Sequence, residues 1–345
     1  MRLDGTAIVV TGVAVVAGLA LLLAYLWDRT GILWRTAVVL GCVLALVTTA
    51  ALQLNRMTEA YPSWSALRGT KVEETGESDR APSSPRRPVT PASGSRIVQL
   101  TVAGPASGLT LPVYVYLPAA YDKDPRTRFP VIEALHGYPG SPRTWISRMS
   151  IQSYLDTEIR TGRMAPTVVL LPYQTTERFL DTECTDLAPH GPRTETFLTS
   201  DVPAYARSHL RVRADRDGWG LIGYSAGGYC AANLALRHPG EYTAGASLSG
   251  YGEPGITVGD GSEKTTNDDD WRLTHLPQPA ISLYLAWAAD DFGTKHESLR
   301  LAALAKPPLE ITTAIVAHGG HSHAVWEAME APAFDWLSAH LARPL

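Results

Sequence analysis

Cysteine is scarce in this chain. Its 345 residues include three, Cys42, Cys184 and Cys230, and no two of them form a C-x-x-C pair. A zinc ribbon and a thioredoxin-like redox motif are therefore excluded. A basic excess is lacking too: 30 Lys and Arg stand against 34 Asp and Glu, for a formal net charge of −4. With no positive stripe to follow a phosphate backbone, nucleic acid is not an expected partner. Charge is absent altogether from one long stretch, Thr6 to Trp27, and a second run from Gly31 to Leu54 is interrupted only by Arg35. Internal repeats are missing as well.

Those two runs have no polar face to turn to water, as a helix on a soluble protein has. Each reaches the ~20 residues that span a hydrocarbon core, whereas the apolar stretch of a secretory signal is only about 7–15 residues. The expectation is two transmembrane helices, about 6–27 and 31–54, joined by the turn Asp28-Arg29-Thr30. Arg29 and Arg35 flank that turn, while Arg2 is offset by Asp4 and Arg56 by Glu59. Basic residues favour the cytoplasmic side, so the turn is placed inside and the C-terminal part outside the cytoplasm. There Cys184 and Cys230 can form a disulfide; two unpaired buried thiols are the other reading.

From Glu59 to Ser95 the composition changes to Pro, Ser and charge (SDRAPSSPRRPVTPASGS), which cannot bury enough apolar surface to fold alone. An extended linker over 59–95 is expected. A globular domain follows over 96–345. Strands are expected at 97–102, 111–118, 130–137, 167–172, 219–223, 242–250, 281–289 and 309–317. Helices are expected at 151–161, 201–210 (N-capped by Ser200 or Asp201), 226–237, 296–304 and 324–340. Short apolar runs alternating with helices predict a largely parallel sheet covered on both faces, an open doubly wound α/β fold. The alternating leading strands predict an antiparallel edge.

The sharpest motif is Gly223-Tyr224-Ser225-Ala226-Gly227. It stands between an apolar strand and a helical run, where a G-x-S-x-G nucleophile elbow must stand to expose a serine hydroxyl. A hydroxyl is a weak nucleophile and needs a base and an orienting acid, which in α/β-hydrolases follow in the order Ser, Asp or Glu, His. Downstream, one strand ends at Asp290-Asp291 and the next is followed by His318-Gly-Gly-His321-Ser-His323. His321, beyond two flexible glycines, is the expected base. His318 instead suits the strand end and His323 the helix start; the alternative for the cluster is a zinc site. Asp290, nearer the strand end, is preferred as the acid over Asp291. The run Asn267 to Asp270 lies in a polar segment and is a weaker source. For the oxyanion, donors are expected from the Ala226 N–H and from the loop His136-Gly137-Tyr138-Pro139-Gly140. Proline has no N–H, so Tyr138 is chosen there, and His136 is expected to brace that loop. Tyr138, Trp145, Tyr173 and Trp271 either line the pocket or pack elsewhere.

The strings LPVYVYLPAAYD, FPVIEALHGYPG, WGLIGYSAGGYCAANLALRHP, ASLSGY and GGHSHAVW resemble the Putative esterase family of α/β-hydrolases. That family includes esterase D, feruloyl esterases and mycolyltransferases. The resemblance covers roughly 100–340 and implies the α/β-hydrolase fold, a triad of Ser225, Asp290 and His321, and Trp326 packed behind the histidine. The polar segment EPGITVGDGSEKTTNDDDW after Tyr251 lies outside it, as do the N-terminal helices and the linker. The expected activity is a membrane-anchored, extracytoplasmic serine esterase that needs no cofactor and acts on a small-molecule or cell-envelope ester. An acyltransferase on envelope glycans or lipids, and a non-catalytic binding module, are the alternatives.

Overall fold

The computed structural model describes residues 6–58, 94–177 and 179–345, which divide into two compact units, Met1–Val89 and Thr90–Leu345. In the first unit, helix α1 spans Thr6–Leu26 and α2 spans Ile32–Thr58. The two pack closely where Gly12 faces Thr49, since a Cβ at Gly12 would stand 2.6 Å from the Thr49 Oγ1. Within α2, Ile32–Gln53 is long and apolar enough to cross a membrane, with a mean hydropathy of 2.0 over 22 residues. The apolar part of α1, Val10–Tyr25, is shorter. Near the start of α2, Arg35 donates through Nε to the Thr30 carbonyl at 2.9 Å. Except for Gly94 and Ser95, the expected linker over 59–95 lies outside the described residues.

The second unit is built on one sheet of eight strands: β1 (Arg96–Ala103), β2 (Thr110–Leu117), β3 (Val131–Leu135), β4 (Val168–Pro172), β5 (Trp219–Tyr224), β6 (Ala244–Leu248), β7 (Ser282–Ala288) and β8 (Glu310–Val316). Their order is β1-β2-β4-β3-β5-β6-β7-β8. β1 and β2 are antiparallel, as is β2 with β4, and all other pairs are parallel. The expected α/β class with an antiparallel edge is thus present. β3 to β6 are buried along their whole length, which is why, Glu133 and Ser247 apart, they read as near-continuous apolar runs rather than as alternation. β8 is only partly covered and leaves Ile315 exposed.

Helices α3 (Ile151–Arg160), α4 (Val202–His209), α5 (Ala226–Arg237), α6 (Asp269–His275), α7 (Phe292–Leu304) and α8 (His323–His340) surround the sheet. Alternate strand residues feed two cores. Val131, Leu135 and Leu221 join Tyr229 and Leu234 of α5 in one, and Ile132, Ala134 and Ile222 join Trp326 and Phe334 of α8 in the other. Each fully buried large side chain is worth about 1.5–3 kcal/mol.

Two local expectations are corrected. Neither Ser200 nor Asp201 caps α4, because helical turns already run from Thr194 through a wide π-type turn at Phe197–Asp201. The Asp201 carboxylate is drawn away to accept the N–H groups of Ala106 at 3.0 Å and Ser107 at 2.9 Å. The polar segment before Trp271 contributes α6, whose first turn is capped by Asp268 accepting the Trp271 N–H at 3.0 Å.

Chain direction from β3 to β4 is opposite to that from β4 to β5, which lies on the far side of β3. A crevice opens at the carboxyl ends of strands where such a reversal occurs. The loops after β3 and β5 meet there.

Candidate active site

Ser225 stands between β5 and α5 with φ 55° and ψ −124°. For a residue with a Cβ this conformation costs on the order of 1–3 kcal/mol. Tight surroundings enforce it. The Ser225 N–H donates to the Leu248 carbonyl at 2.9 Å, and its own carbonyl accepts from Gly228 at 2.8 Å. A Cβ at Gly223 would lie 1.9 Å from the Gly227 carbonyl oxygen, and one at Gly227 would lie 2.3 Å from that of Leu135. The glycines of the motif are required by backbone contact, and that contact holds the hydroxyl at the crevice.

The imidazole of His321 reaches the serine from the loop after β8. Its Nε2 is 2.8 Å from the Ser225 Oγ, and its Nδ1 is 2.7 Å from the Asp291 Oδ2. With Nδ1–H donating to the carboxylate, Nε2 is left to accept the serine proton. The acid on the histidine is therefore Asp291 and not the preferred Asp290. Asp290, one residue earlier, turns to the loop and accepts the N–H of Gly319 at 3.1 Å and of Gly320 at 2.9 Å. Those two donors, Gly320 first, hold its carboxyl below the ordinary aspartate value. Both glycines have positive φ, 131° and 60°, so Asp290 shapes the turn that presents His321. Adjacent carboxylates hold two parts of one loop.

Behind the base, the indole of Trp326 meets the His321 ring edge-on at 4.9 Å and stacks on Tyr224 at 4.7 Å. His323 lies against Tyr224 and Trp326 at 6.1 and 5.0 Å, and His318 is exposed. The three histidines diverge, and among the described residues no group of three His, Cys, Asp or Glu is placed to hold a metal ion.

The loop after β3 packs on Ser225: a Cβ at Gly137 would lie 3.2 Å from the Ser225 Cβ. Tyr138 follows at once, with its hydroxyl donating to the Phe179 carbonyl at 2.8 Å. Ala226 opens α5, in the turn whose amides have no intrahelical acceptor. His136 is fully buried and its Nδ1 donates to the Gly137 carbonyl at 2.9 Å. Burial pushes its pKa down to about 4, so it is a neutral brace at physiological pH. Gln174 completes the brace, accepting the His136 N–H at 2.9 Å and donating to its carbonyl at 2.5 Å. Nothing in the sequence around Gln174 singles it out.

The segment beyond Gln174 is fastened to α5 by a disulfide between Cys184 and Cys230, with the Cα atoms 5.7 Å apart. Beside it, Glu183 is buried and accepts the Tyr251 hydroxyl at 2.5 Å. Burial, with Asp181 nearby, pushes the Glu183 carboxyl up to about 8. Of the four aromatics weighed for the pocket, Trp145 is core: it is fully buried and donates through Nε1 to the Leu135 carbonyl at 3.2 Å. Tyr138 and Tyr173 are partly exposed near the crevice, and Trp271 lies on α6.

A family profile described as Putative esterase matches residues 105–336. An uncharacterized protein of Corynebacterium glutamicum is 27% identical over 355 residues, covering 93% of this chain and 80% of its own length. Diacylglycerol acyltransferase/mycolyltransferase Ag85A of Mycobacterium leprae is 35% identical over 65 residues, 19% of each chain. Among solved structures, a ferulic acid esterase superposes with a TM-score of 0.63 at 18% identity, over 72% of this chain and 99% of that one. An S-formylglutathione hydrolase from Agrobacterium tumefaciens does so with 0.61 at 13% identity, over 73% and 98%. The fold is that of the α/β-hydrolases.

Proposed function

This chain belongs to the Putative esterase family and is a serine hydrolase, and from that premise we propose that it is a membrane-anchored, extracytoplasmic carboxylic-ester hydrolase. The observation that carries the reading is the hydrogen-bonded series Asp291–His321–Ser225, at 2.7 and 2.8 Å. Ser225 Oγ attacks the acyl carbon while His321 Nε2 takes its proton, and Asp291 stabilises the imidazolium that forms. The tetrahedral oxyanion is received by the N–H groups of Tyr138 and Ala226, aided by the positive end of the α5 dipole. Collapse expels the alcohol with the proton from His321. Water, deprotonated by the same imidazole, then releases the acid and restores Ser225.

The anchor in this reading is a transmembrane hairpin of α1 and α2. Support comes from the apolar span Ile32–Gln53 and from the close approach of Gly12 to Thr49. A disulfide at Cys184–Cys230 agrees with a catalytic domain outside the reducing cytoplasm. Transfer of the acyl group to an envelope glycan or lipid is the second reading, favoured by the 65-residue similarity to a mycolyltransferase. The test is labelling of the full chain in detergent by a serine-directed fluorophosphonate, beside ester turnover. Wild type should be labelled and should turn over p-nitrophenyl acetate and longer-chain esters, and a folded Ser225→Ala should do neither. A folded wild type inert to both reagents would end the hydrolase reading. Products run with and without sugar acceptors separate hydrolysis from transfer.

A further inference from the structure

Strands β3 and β4 are parallel neighbours, with Glu133 opposite Leu170. Their continuations leave the sheet side by side, which brings Gln174 against His136. Gln174 is buried, and its amide spans the His136 main chain. Oε1 accepts the His136 N–H at 2.9 Å, and Nε2 donates to the His136 carbonyl at 2.5 Å. The reverse setting of the amide would place donor against donor and acceptor against acceptor, so the two partners fix its orientation. Gln174 is held in turn from behind. Its own carbonyl accepts the Thr182 hydroxyl at 2.6 Å, and Nε2 lies 4.0 Å from the Cys230 Sγ of the disulfide.

This grip reaches the expected oxyanion donor through a single peptide group. From the position that Gln174 fixes, His136 donates through Nδ1 to the Gly137 carbonyl at 2.9 Å. That carbonyl and the Tyr138 N–H belong to the same peptide, which is trans. In a planar trans peptide the C=O and N–H point in opposite directions, so fixing the carbonyl aims the N–H. Residue 137 needs such a restraint. A Cβ there would lie 2.7 Å from the Tyr224 ring, so glycine is required by packing. Glycine also leaves its flanking peptides the most freedom to rotate.

We propose that Gln174 is a positioning residue for ester hydrolysis: through His136 it holds the Gly137–Tyr138 peptide with its N–H towards the oxyanion. The proposal rests on the reading of the site as a serine esterase. Without the Gln174 amide, the His136 N–H and carbonyl are left buried and unpaired, a penalty relieved by any rotation that finds them new partners. The Tyr138 N–H then loses its aim while Ser225, His321 and Asp291 keep their contacts.

The test uses the full chain in detergent, with p-nitrophenyl acetate as substrate and 2,2,2-trifluoroacetophenone as inhibitor. Ser225 Oγ adds to the ketone carbon, its proton passes to His321, and the carbonyl electron pair becomes an oxyanion, so the inhibitor reports on the hole. Gln174→Met keeps the bulk and removes the amide. It should lower kcat by about 10–100-fold, less than the roughly 10²–10³ of a donor lost outright. KM should stay within about twofold, the pattern of an interaction made in the transition state, and the ketone should bind more weakly by about the same factor as kcat falls. Gln174→Asn retains the amide on a side chain one methylene too short to reach both His136 atoms. It should also lower kcat at unchanged KM, and it covers the case in which the methionine variant fails to fold. With an active wild type, three results overturn the proposal and leave the esterase reading in place. These are an unchanged kcat in a folded variant, a rise in KM instead of a fall in kcat, and a fall in kcat that ketone affinity does not follow. A folded wild type inert to both ester and ketone overturns both.

Discussion

The two halves of the candidate active site are held in different ways. The nucleophile half is backbone packed on backbone: Gly223 against Gly227, and Gly227 against Leu135, with Ala226 through Leu236 buried. The base half is a loop in which His321 and both its glycines lie near the surface, tied down by the hydrogen bonds of Asp290 and Asp291. Packing leaves no alternative position for Ser225. Polar contacts in a solvated loop hold His321 by directional bonds that can be removed one at a time. Substitutions of the glycines in the first half should therefore act on folding, and those of the polar side chains in the second on rate.

The largest effect is expected from Gly223→Ala. Its Cβ would meet a carbonyl oxygen at 1.9 Å, well beyond ordinary overpacking at about 1–3 kcal/mol, so no cooperative melt should be seen by circular dichroism. A variant that melts within a few degrees of wild type would show that the elbow can relax. Next, Asp291→Asn should fold normally yet lose on the order of 10⁴ in kcat/KM by upsetting the imidazole tautomer. Asp290→Asn should lose about tenfold, since it weakens only the loop turn, at about 1.4 kcal/mol per factor of ten. Equal losses in the two variants would remove the distinction between them.

The disulfide reinforces the rigid half by tying Cys184 to α5 across a sequence separation of 46. Replacing both cysteines by serine should cost up to ~4 kcal/mol by the chain-entropy argument, read from urea melts. A melt that does not shift would mean that packing alone holds the segment.

The smallest effect concerns pH. The Asp290 carboxyl is held below its ordinary value of 3.8 by the Gly320 and Gly319 amides. A depressed carboxylate stabilises the folded loop above about the ordinary value, and that contribution is lost as pH falls through the depressed one. The two glycine amides should therefore show hydrogen-exchange protection, corrected for intrinsic rates, that fades with acidification in wild type. In Asp290→Asn, which keeps one neutral acceptor oxygen, protection should be lower and should not change with pH, and wild-type protection in that variant would assign the turn to the glycines alone.

The half that packing holds is the one most legible in the sequence. Glycines two residues to either side of Ser225, an apolar strand before and a helical run after, describe the elbow without further information, because its constraints are local and steric. The buried strands β3 to β6 were legible for the same reason. The short helix α6 was hidden inside an acidic stretch with little apolar period. Its signal was an Asp N-cap with acids in the first turn, a weak one. Trp271 was counted with the pocket aromatics but lines a different cavity, between α6 and α7.

Sequence by itself determined the fold class, the serine at the strand-to-helix turn and the strand ends at which its neighbours must lie, since hydrophobic periodicity and glycine sterics act over a few residues. Tertiary structure decided which of two neighbouring aspartates faces the imidazole, which histidine of three arrives, and that Cys184 comes within bonding distance of Cys230. Those outcomes depend on how side chains distant in the chain converge around the sheet. Asp290 and Asp291 are chemically identical, and only the positions of Gly319, Gly320 and His321 around them tell the two apart.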